Sequence, residues 1–327
     1  MKKTAWFLLD NRMGSVGQAK GVMQSLDESK FDIVEKKIEY TRLAALPNCL
    51  RGATLLGLTK DSKASLYGDF PDLVVSSSRR TAPIARWLKK KSGGKTKIVQ
   101  LMHPGNSGLK DFDLIFVPDH DRETKKSLPN MVYLTGCPHR VNEKNLSLAR
   151  EKWQETFAEL PRPLTAVIIG GAIKGKPFSS ENARALGREI KAIKQKIGGS
   201  ILITDSRRTG SDAEKLIKEE IEGIPAYTYW WGENKENPIM GFWACADNIL
   251  VTGDSVSMPC ECCGSGKPVF IFTGKNWLTP KHHRFVDSLV FGDYAAVTDN
   301  PDYLEFRPKQ RLNPSDAVAE EIEKLFF

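Results

Sequence analysis

The chain has 327 residues, 40% of them hydrophobic and 27% charged, with a net charge of +8. Such a composition is that of globular protein, and the length suits two domains with cores of their own, which excludes a disordered or fibrous chain. The positive balance points to anionic partners, whether phosphorylated ligands, an acidic membrane surface or nucleic acid, and does not choose among them.

Met1-Lys2-Lys3 and the apolar Ala5–Leu9 begin like a signal peptide. The run stops at Asp10, too short for an h-region, so Thr4–Leu9 reads as a first strand. No later segment is long and apolar enough to span a bilayer. The expectation is a cytoplasmic chain, with the inner face of the membrane as a peripheral contact. Asp10–Gln18 reads as a loop carrying Gly14 and Gly17 and opening a helix toward Leu26. Phe31–Ile38 is a second strand, and Leu43–Gly57 is ambiguous between helix and loop. Strand Asp72–Ser76, the basic amphipathic helix Ala82–Lys91 and strands Lys97–Leu101, Asp113–Val117 and Met131–Leu134 follow. Strands alternating with helices predict a doubly wound, mostly parallel sheet.

A charged helix over Glu143–Glu159 leads to Leu160-Pro161-Arg162-Pro163. The prolines and the change of composition place a domain boundary there, giving domains 1–160 and 161–327. The pattern restarts with strand Leu164–Ile169, Gly170-Gly171 and helix Ser180–Ile197. Strand Ser200–Thr204, helix Asp212–Ile221, strand Ala226–Tyr229, a polar loop to Asn237-Pro238 and a helix to Ala246 come next. Asn248–Phe272 reads as strand, tight loop, short helix from Ser257, glycine stop and strand, a compact parallel crossover. A helix around His282–Val290 follows, and the final one, Ser315–Phe327, is expected to dock back on the first domain.

The loop Gly253-Asp254-Ser255 lies at the carboxyl end of a strand and before a helix N-terminus, where open α/β sheets bind ligands and where a phosphate is well placed. Asp254, Ser255 and Ser257 are therefore candidate ligand contacts. Glu261, inside the same short helix, is close enough to accept hydrogen bonds from a ligand's hydroxyls. An internal echo joins the halves: Ser78-Arg79-Arg80-Thr81 and Ser206-Arg207-Arg208-Thr209 each follow an apolar strand. Arg79 and Arg207 could grip phosphate through fork-shaped charge-assisted bonds or pair with surface carboxylates, and the paired reading is favoured for Arg80 and Arg208. Gly14 and Gly17, like Gly170 and Gly171, follow the first strand of a domain, where a phosphate or a tight turn requires glycine. Neither set completes G-x-G-x-x-G and no P-loop is present, so a nicotinamide cofactor is disfavoured.

The six cysteines include Cys260-Glu261-Cys262-Cys263, which lacks paired C-x-x-C knuckles and reads as core rather than metal site. His103 and His120 each follow a strand and are candidate general bases, as is Asp10 at the end of the first strand. A loop histidine bonded to the backbone is the alternative for both. His139, His282 and His283 read as surface or packing residues. The basic run through Arg86, Lys89, Lys90 and Lys91 suits either an anionic membrane or a solvated helix face. No nucleic-acid motif accompanies it.

Pro71-Asp72-Leu73-Val74, Ser78-Arg79-Arg80-Thr81-Ala82-Pro83, Val99-Gln100-Leu101-Met102 and Val117-Pro118-Asp119-His120-Asp121 carry a family resemblance. So do Gly170-Gly171, Ser206-Arg207-Arg208-Thr209, Glu236-Asn237-Pro238 and Thr252-Gly253-Asp254-Ser255-Val256-Ser257-Met258. Together they closely resemble the bacterial family named after the plant mitochondrial-fission factor "elongated mitochondria". The resemblance implies a GT-B-like fold of two facing Rossmann-like domains, with acceptor on the first and nucleoside-diphosphate sugar on the second. It implies a glycosyltransferase acting on a cell-envelope or other acceptor, with the donor as substrate and no separate cofactor or metal. Gly170, Gly171, Ser206, Arg207 and the Asp254–Ser257 loop would hold the diphosphate, Glu261 the ribose, and the loop around Asn237 the base. The first loop departs from the better-known pattern by lacking a glycine pair followed by histidine, which leaves the base open among His103, His120 and Asp10. A nucleotide-sugar epimerase on the same scaffold is an alternative. So is a non-catalytic adaptor, since the plant member is implied to recruit a dynamin-like GTPase.

Overall fold

A computed structural model describes residues 1–124 and 127–327, and the chain divides into two compact units, Met1–Arg140 with Asn313–Phe327, and Val141–Leu312. The first unit holds strands β1 (Lys3–Leu9), β2 (Phe31–Lys37), β3 (Leu73–Ser76), β4 (Lys97–Leu101), β5 (Leu114–Pro118) and β6 (Met131–Leu134). Its helices in this stretch are α1 (Met13–Ser25), the short α2 (Asn48–Arg51) and α3 (Lys60–Ala64), and α4 (Ala82–Lys91). The sheet order is β2-β1-β3-β4-β5-β6, with every neighbour parallel. Alternate residues feed two cores, one on each face. Trp6, Leu8, Val74, Ile98 and Val117 pack with Ile84 and Leu88 of α4. Ala5, Phe7, Leu9, Val75, Val99 and Phe116 pack with Ala19 and Val22 of α1. Covering both faces is why these strands read as continuous apolar runs.

The turn after β1 is tighter than its polar sequence suggests. Asp10 Oδ1 accepts the Arg12 amide at 2.9 Å, which turns the chain straight off the strand. The helix α1 starts at Met13, so Gly14 and Gly17 lie in its first turns rather than in a loop. Helix α4 begins with Pro83 in its first turn and ends in Lys89-Lys90-Lys91. Proline is tolerated where the N–H has no partner, and cations complement the carbonyl end. Arg86 pairs with Asp111 at 2.6 Å and Lys89 with Asp113 at 2.7 Å, while Lys90 and Lys91 are exposed.

The second unit holds β7 (Leu164–Ile168), β8 (Ser200–Thr204), β9 (Ala226–Tyr229), β10 (Asn248–Thr252), β11 (Val269–Phe272) and β12 (Ala296–Val297). Its helices are α5 (Glu143–Trp153), α6 (Ser180–Ile197), α7 (Ser211–Glu220), α8 (Ile239–Cys245), α9 (Ser257–Gly264) and α10 (Pro280–Phe291). The parallel order is β12-β11-β10-β7-β8-β9. Two-residue β12 carries no periodicity, and no strand is legible there in the sequence. Cys260, Cys262 and Cys263 are buried in α9, and burial pushes the Cys262 thiol well above its usual range.

Packing, not proline content, draws the division. Helix α5 joins the second unit because Trp153 lies against Gly241 of α8, where a Cβ would come within 2.4 Å of the indole. Trp153 and Phe157 stack at 5.8 Å, and Phe157 meets Phe242 at 5.8 Å. Leu160–Pro163 therefore falls inside the second unit, and the boundary precedes α5 instead of following it. The last helix, α11 (Pro314–Glu323), returns to pack on α1 and adds Val318, Ala319 and Ile322 to the core beneath β1 and β3. Among the described residues no helix is long and apolar enough to cross a membrane.

Candidate functional site

In the second unit the strand order reverses between β7 and β10, so connections leave toward opposite faces and open a crevice at the carboxyl ends, where such sheets bind ligands. Gly170 and Gly171 come off β7 at that point. The Gly170 amide donates to Thr252 Oγ1 at 2.7 Å and the Gly171 amide to Asp254 Oδ2 at 2.9 Å. Thr252 Oγ1 donates in turn to Asp254 Oδ1 at 2.6 Å. The Asp254 side chain is fully buried, and Arg208 Nη1 reaches its Oδ2 at 2.6 Å. Arg208 also donates to the Ala172 carbonyl at 3.1 Å. A Cβ at Gly170 would sit 2.1 Å from the Asp254 carboxylate, and one at Gly171 would sit 2.0 Å from the Arg208 carbonyl oxygen. These glycines are required by the protein's own close approach, and their amides are already committed.

The segment after β8 completes this frame. Ser206 Oγ and Thr209 Oγ1 both donate to the Gly170 carbonyl, and the Ser206 amide donates to Thr209 Oγ1 at 3.1 Å. Ser206 and Asp254 are thus structural members of the crevice wall. Arg207 is exposed and has no ion-pair partner among the described residues. Ser255 and Ser257 are half-buried at the start of α9, where Ser255 Oγ accepts the Met258 amide at 3.5 Å and the first turn carries no acidic residue. Glu261 is half-buried in the same helix. Asn237 is exposed, and its Oδ1 accepts the Ile239 amide at 3.0 Å at the head of α8.

His282, read from the sequence as a surface or packing residue, lies within electrostatic reach of the Asp254–Arg208 pair. Burial holds its imidazole below the usual range against the opposing pull of Asp254. Its Nδ1 meets Thr279 Oγ1 at 2.7 Å. The one sequence signal for it is its position on the first turn of a helix that follows a strand end.

The first unit repeats the construction at its own reversal, between β1 and β3. The Ser78 amide donates to Thr81 Oγ1 at 3.1 Å, as Ser206 does to Thr209. Arg80 Nη2 reaches Asp10 Oδ2 at 3.3 Å, and the Asp10 side chain is fully buried. Arg80 and Arg208 therefore take the carboxylate-paired role, while Arg79, like Arg207, is exposed with no ion-pair partner among the described residues. Both Asp10 oxygens accept hydrogen bonds, from Arg12 and Arg80, which makes it an organiser of this loop. The His120 side chain is fully buried, with Nε2 3.9 Å from Asp121 Oδ1. His103 is half-buried, and its Nδ1 accepts the Gly105 amide at 3.2 Å. In that state the neutral ring carries its proton on Nε2. It follows Met102, whose φ of 67° puts a non-glycine residue in the left-handed region at the end of β4. No group of His, Cys, Asp and Glu suited to a metal ion occurs among the described residues.

The chain resembles known proteins along most of its length. It is 29% identical to the mitochondrial fission protein ELM1 of Arabidopsis thaliana, over 83% of this chain and 68% of that one. Among solved structures, a UDP-GlcNAc 2-epimerase of Methanocaldococcus jannaschii superposes with a TM-score of 0.62 at 12% identity, covering 98% of this chain and 99% of that chain. A glycosyltransferase of Rickettsia africae gives a TM-score of 0.50 at 12% identity, covering 99% and 88%. At these identities the superpositions establish a shared fold. The sequence model of the family described as mitochondrial fission ELM1 matches residues 13–326, and with its two six-stranded parallel sheets the chain is a GT-B-like member of that family.

Proposed function

We propose that the chain is a glycosyltransferase that takes its sugar from a nucleoside diphosphate docked at the β7–β10 crevice of the second unit. The observation that carries this reading is the pairing of a braced frame with an unsatisfied cation. Gly170, Gly171, Thr252, Asp254 and Arg208 satisfy one another, and Arg207 is left beside them with no counter-charge among the described residues. Arg207 and the hydroxyls of Ser255 and Ser257 would neutralise the diphosphate as it leaves. Glu261 would accept from the ribose hydroxyls. Gly170 and Gly171 contribute shape rather than N–H groups, which differs from a glycine loop that wraps a phosphate directly. His103 is the base candidate with access to solvent, and it would need to release the Gly105 amide to accept an acceptor proton.

The test is calorimetric titration with a panel of nucleoside diphosphates. Saturable binding by the native chain and a loss of roughly ten- to a hundredfold in Arg207→Ala are expected, with an unchanged melting temperature. No binding by any member of the panel would reject the reading. Free nucleoside diphosphate released only when acceptor is present identifies a transferase, and a sugar inverted at one carbon without acceptor identifies an epimerase. A non-catalytic adaptor is the second reading, favoured by the plant relative named for mitochondrial fission, and it predicts that the whole panel fails.

A further inference from the structure

The first unit has a concentration of positive charge that the donor site does not use. Arg51 is fully buried, yet among the described residues no carboxylate pairs with it. Its Nε and Nη1 donate to the carbonyls of Leu56 and Arg80, both at 3.2 Å, and Nη2 is buried without a hydrogen-bond partner. Burial pulls its pKa down, Tyr40 opposes this, and the neighbouring charges of Arg80 and Arg79 add to the lowering. Arg80 lies 4.4 Å over the ring of Tyr40, whose hydroxyl is also buried without a partner. Arg12 acts on the same tyrosine. The carboxylate in this group is Asp10, whose oxygens are taken by the Arg12 amide and Arg80.

A buried guanidinium without a counter-ion is unfavourable, and natural structures normally neutralise it. The placement is also that of a ligand site. The strand order reverses between β1 and β3, and α1 starts there with no side-chain cap and no acidic residue in its first turn. An added Cβ at Gly14 or Gly17 would meet nothing within 4 Å. We propose that the first unit binds a phosphoryl group of its own at the β1–β3 crossover. Exposed Arg79 and Arg12 make the contacts, Asp10 pins Arg80 to hold the loop, and Arg51 supplies fixed positive charge from beneath. The site belongs to the first unit alone and does not depend on the reaction proposed for the second.

The test uses the full chain carrying Arg207→Ala, which removes the free arginine of the second unit, and inorganic pyrophosphate as probe. Saturable, salt-sensitive binding is expected to survive in that background and to weaken roughly ten- to a hundredfold when Arg79→Ala is added, with no change in melting temperature. Arg79→Lys, which keeps the charge but not the fork, is expected to lose less. Phosphatidylcholine vesicles doped with phosphatidic acid form a second arm. Capture that requires Arg79 assigns the phosphoryl group to a lipid headgroup, and binding confined to free pyrophosphate assigns it to a soluble ligand. Loss of all pyrophosphate binding in Arg207→Ala alone, or equal affinity with and without Arg79, overturns the site. Nucleoside diphosphate binding by Arg79→Ala is read separately and reports only on the second unit.

Discussion

Asp254 and Asp10 do the same work from different places: Asp10 follows β1, the neighbour of β3, whereas Asp254 follows β10, which β7 separates from β8. Each is buried at the crossover and fixes the second arginine of a Ser-Arg-Arg-Thr segment, leaving the first arginine exposed. The energetic consequence is asymmetric. Removing the Asp254 carboxylate strands Arg208 and leaves the Gly171 amide and the Thr252 hydroxyl without their acceptor. Breaking a buried pair in this way costs about 3–5 kcal/mol, the lower end applying because Arg208 remains partly wet. Asp254→Ala is therefore expected to lower the denaturant midpoint by that equivalent with little change in slope. A loss below about 1 kcal/mol would mean that the frame does not need its carboxylate. Arg207→Ala should leave the midpoint untouched, since nothing in the fold depends on that side chain.

Among the elements, α11 shows how much one helix contributes from the far end of the chain. Val318, Ala319 and Ile322 enter the core shared by β1, β3 and α1, and Ser315 Oγ donates to the His139 carbonyl at 2.8 Å while accepting its amide at 3.0 Å. Ile322 is fully buried. Truncating it removes apolar contact and leaves a cavity, at about 2–5 kcal/mol. Ile322→Ala is expected to show that loss in equilibrium unfolding and to raise hydrogen exchange in α1 more than in α6. Equal exchange in both helices would mean that α11 is not integral to the first unit. Helix α4 is a counter-example to reading charge from sequence alone. Arg86 and Lys89 are engaged by Asp111 and Asp113, so Lys90 and Lys91 are what its basic run presents to solvent.

For the whole molecule, the division Met1–Arg140 with Asn313–Phe327 against Val141–Leu312 makes the second unit continuous in sequence and the first discontinuous. Each sheet is covered by its own helices, so a continuous unit has what it needs to fold alone. Residues 141–312 are expected to fold cooperatively as an isolated fragment, whereas 1–140 without the last helix is expected to show a broadened or absent transition. Circular dichroism melts of both fragments check this. A fragment beginning at residue 161 should be weaker than 141–312, because it lacks the α5 surface that packs against Gly241 and Phe242.

The alternation of apolar runs with helical segments was enough to place the parallel strands, because burial on both faces leaves a continuous hydrophobic signature in each one. The Ser-Arg-Arg-Thr echo was legible for the same local reason: strand, turn and side-chain oxygen are all contained in a few residues. Family membership, too, follows from short segments spread through the chain. Strand order is different, since no local pattern states that β1 lies beside β3 or β7 beside β10. Only the tertiary structure brings Asp254 to Gly170 and Arg208, buries Arg51 without a carboxylate, and sets His282 near the crevice. The committed glycine amides belong with these, because a glycine pair looks the same in sequence whether its N–H groups face a ligand or the protein's own aspartate. Periodicity reports how each segment meets its immediate surroundings, whereas charges and hydrogen bonds between distant segments depend on which strands become neighbours, and packing of the whole chain settles that.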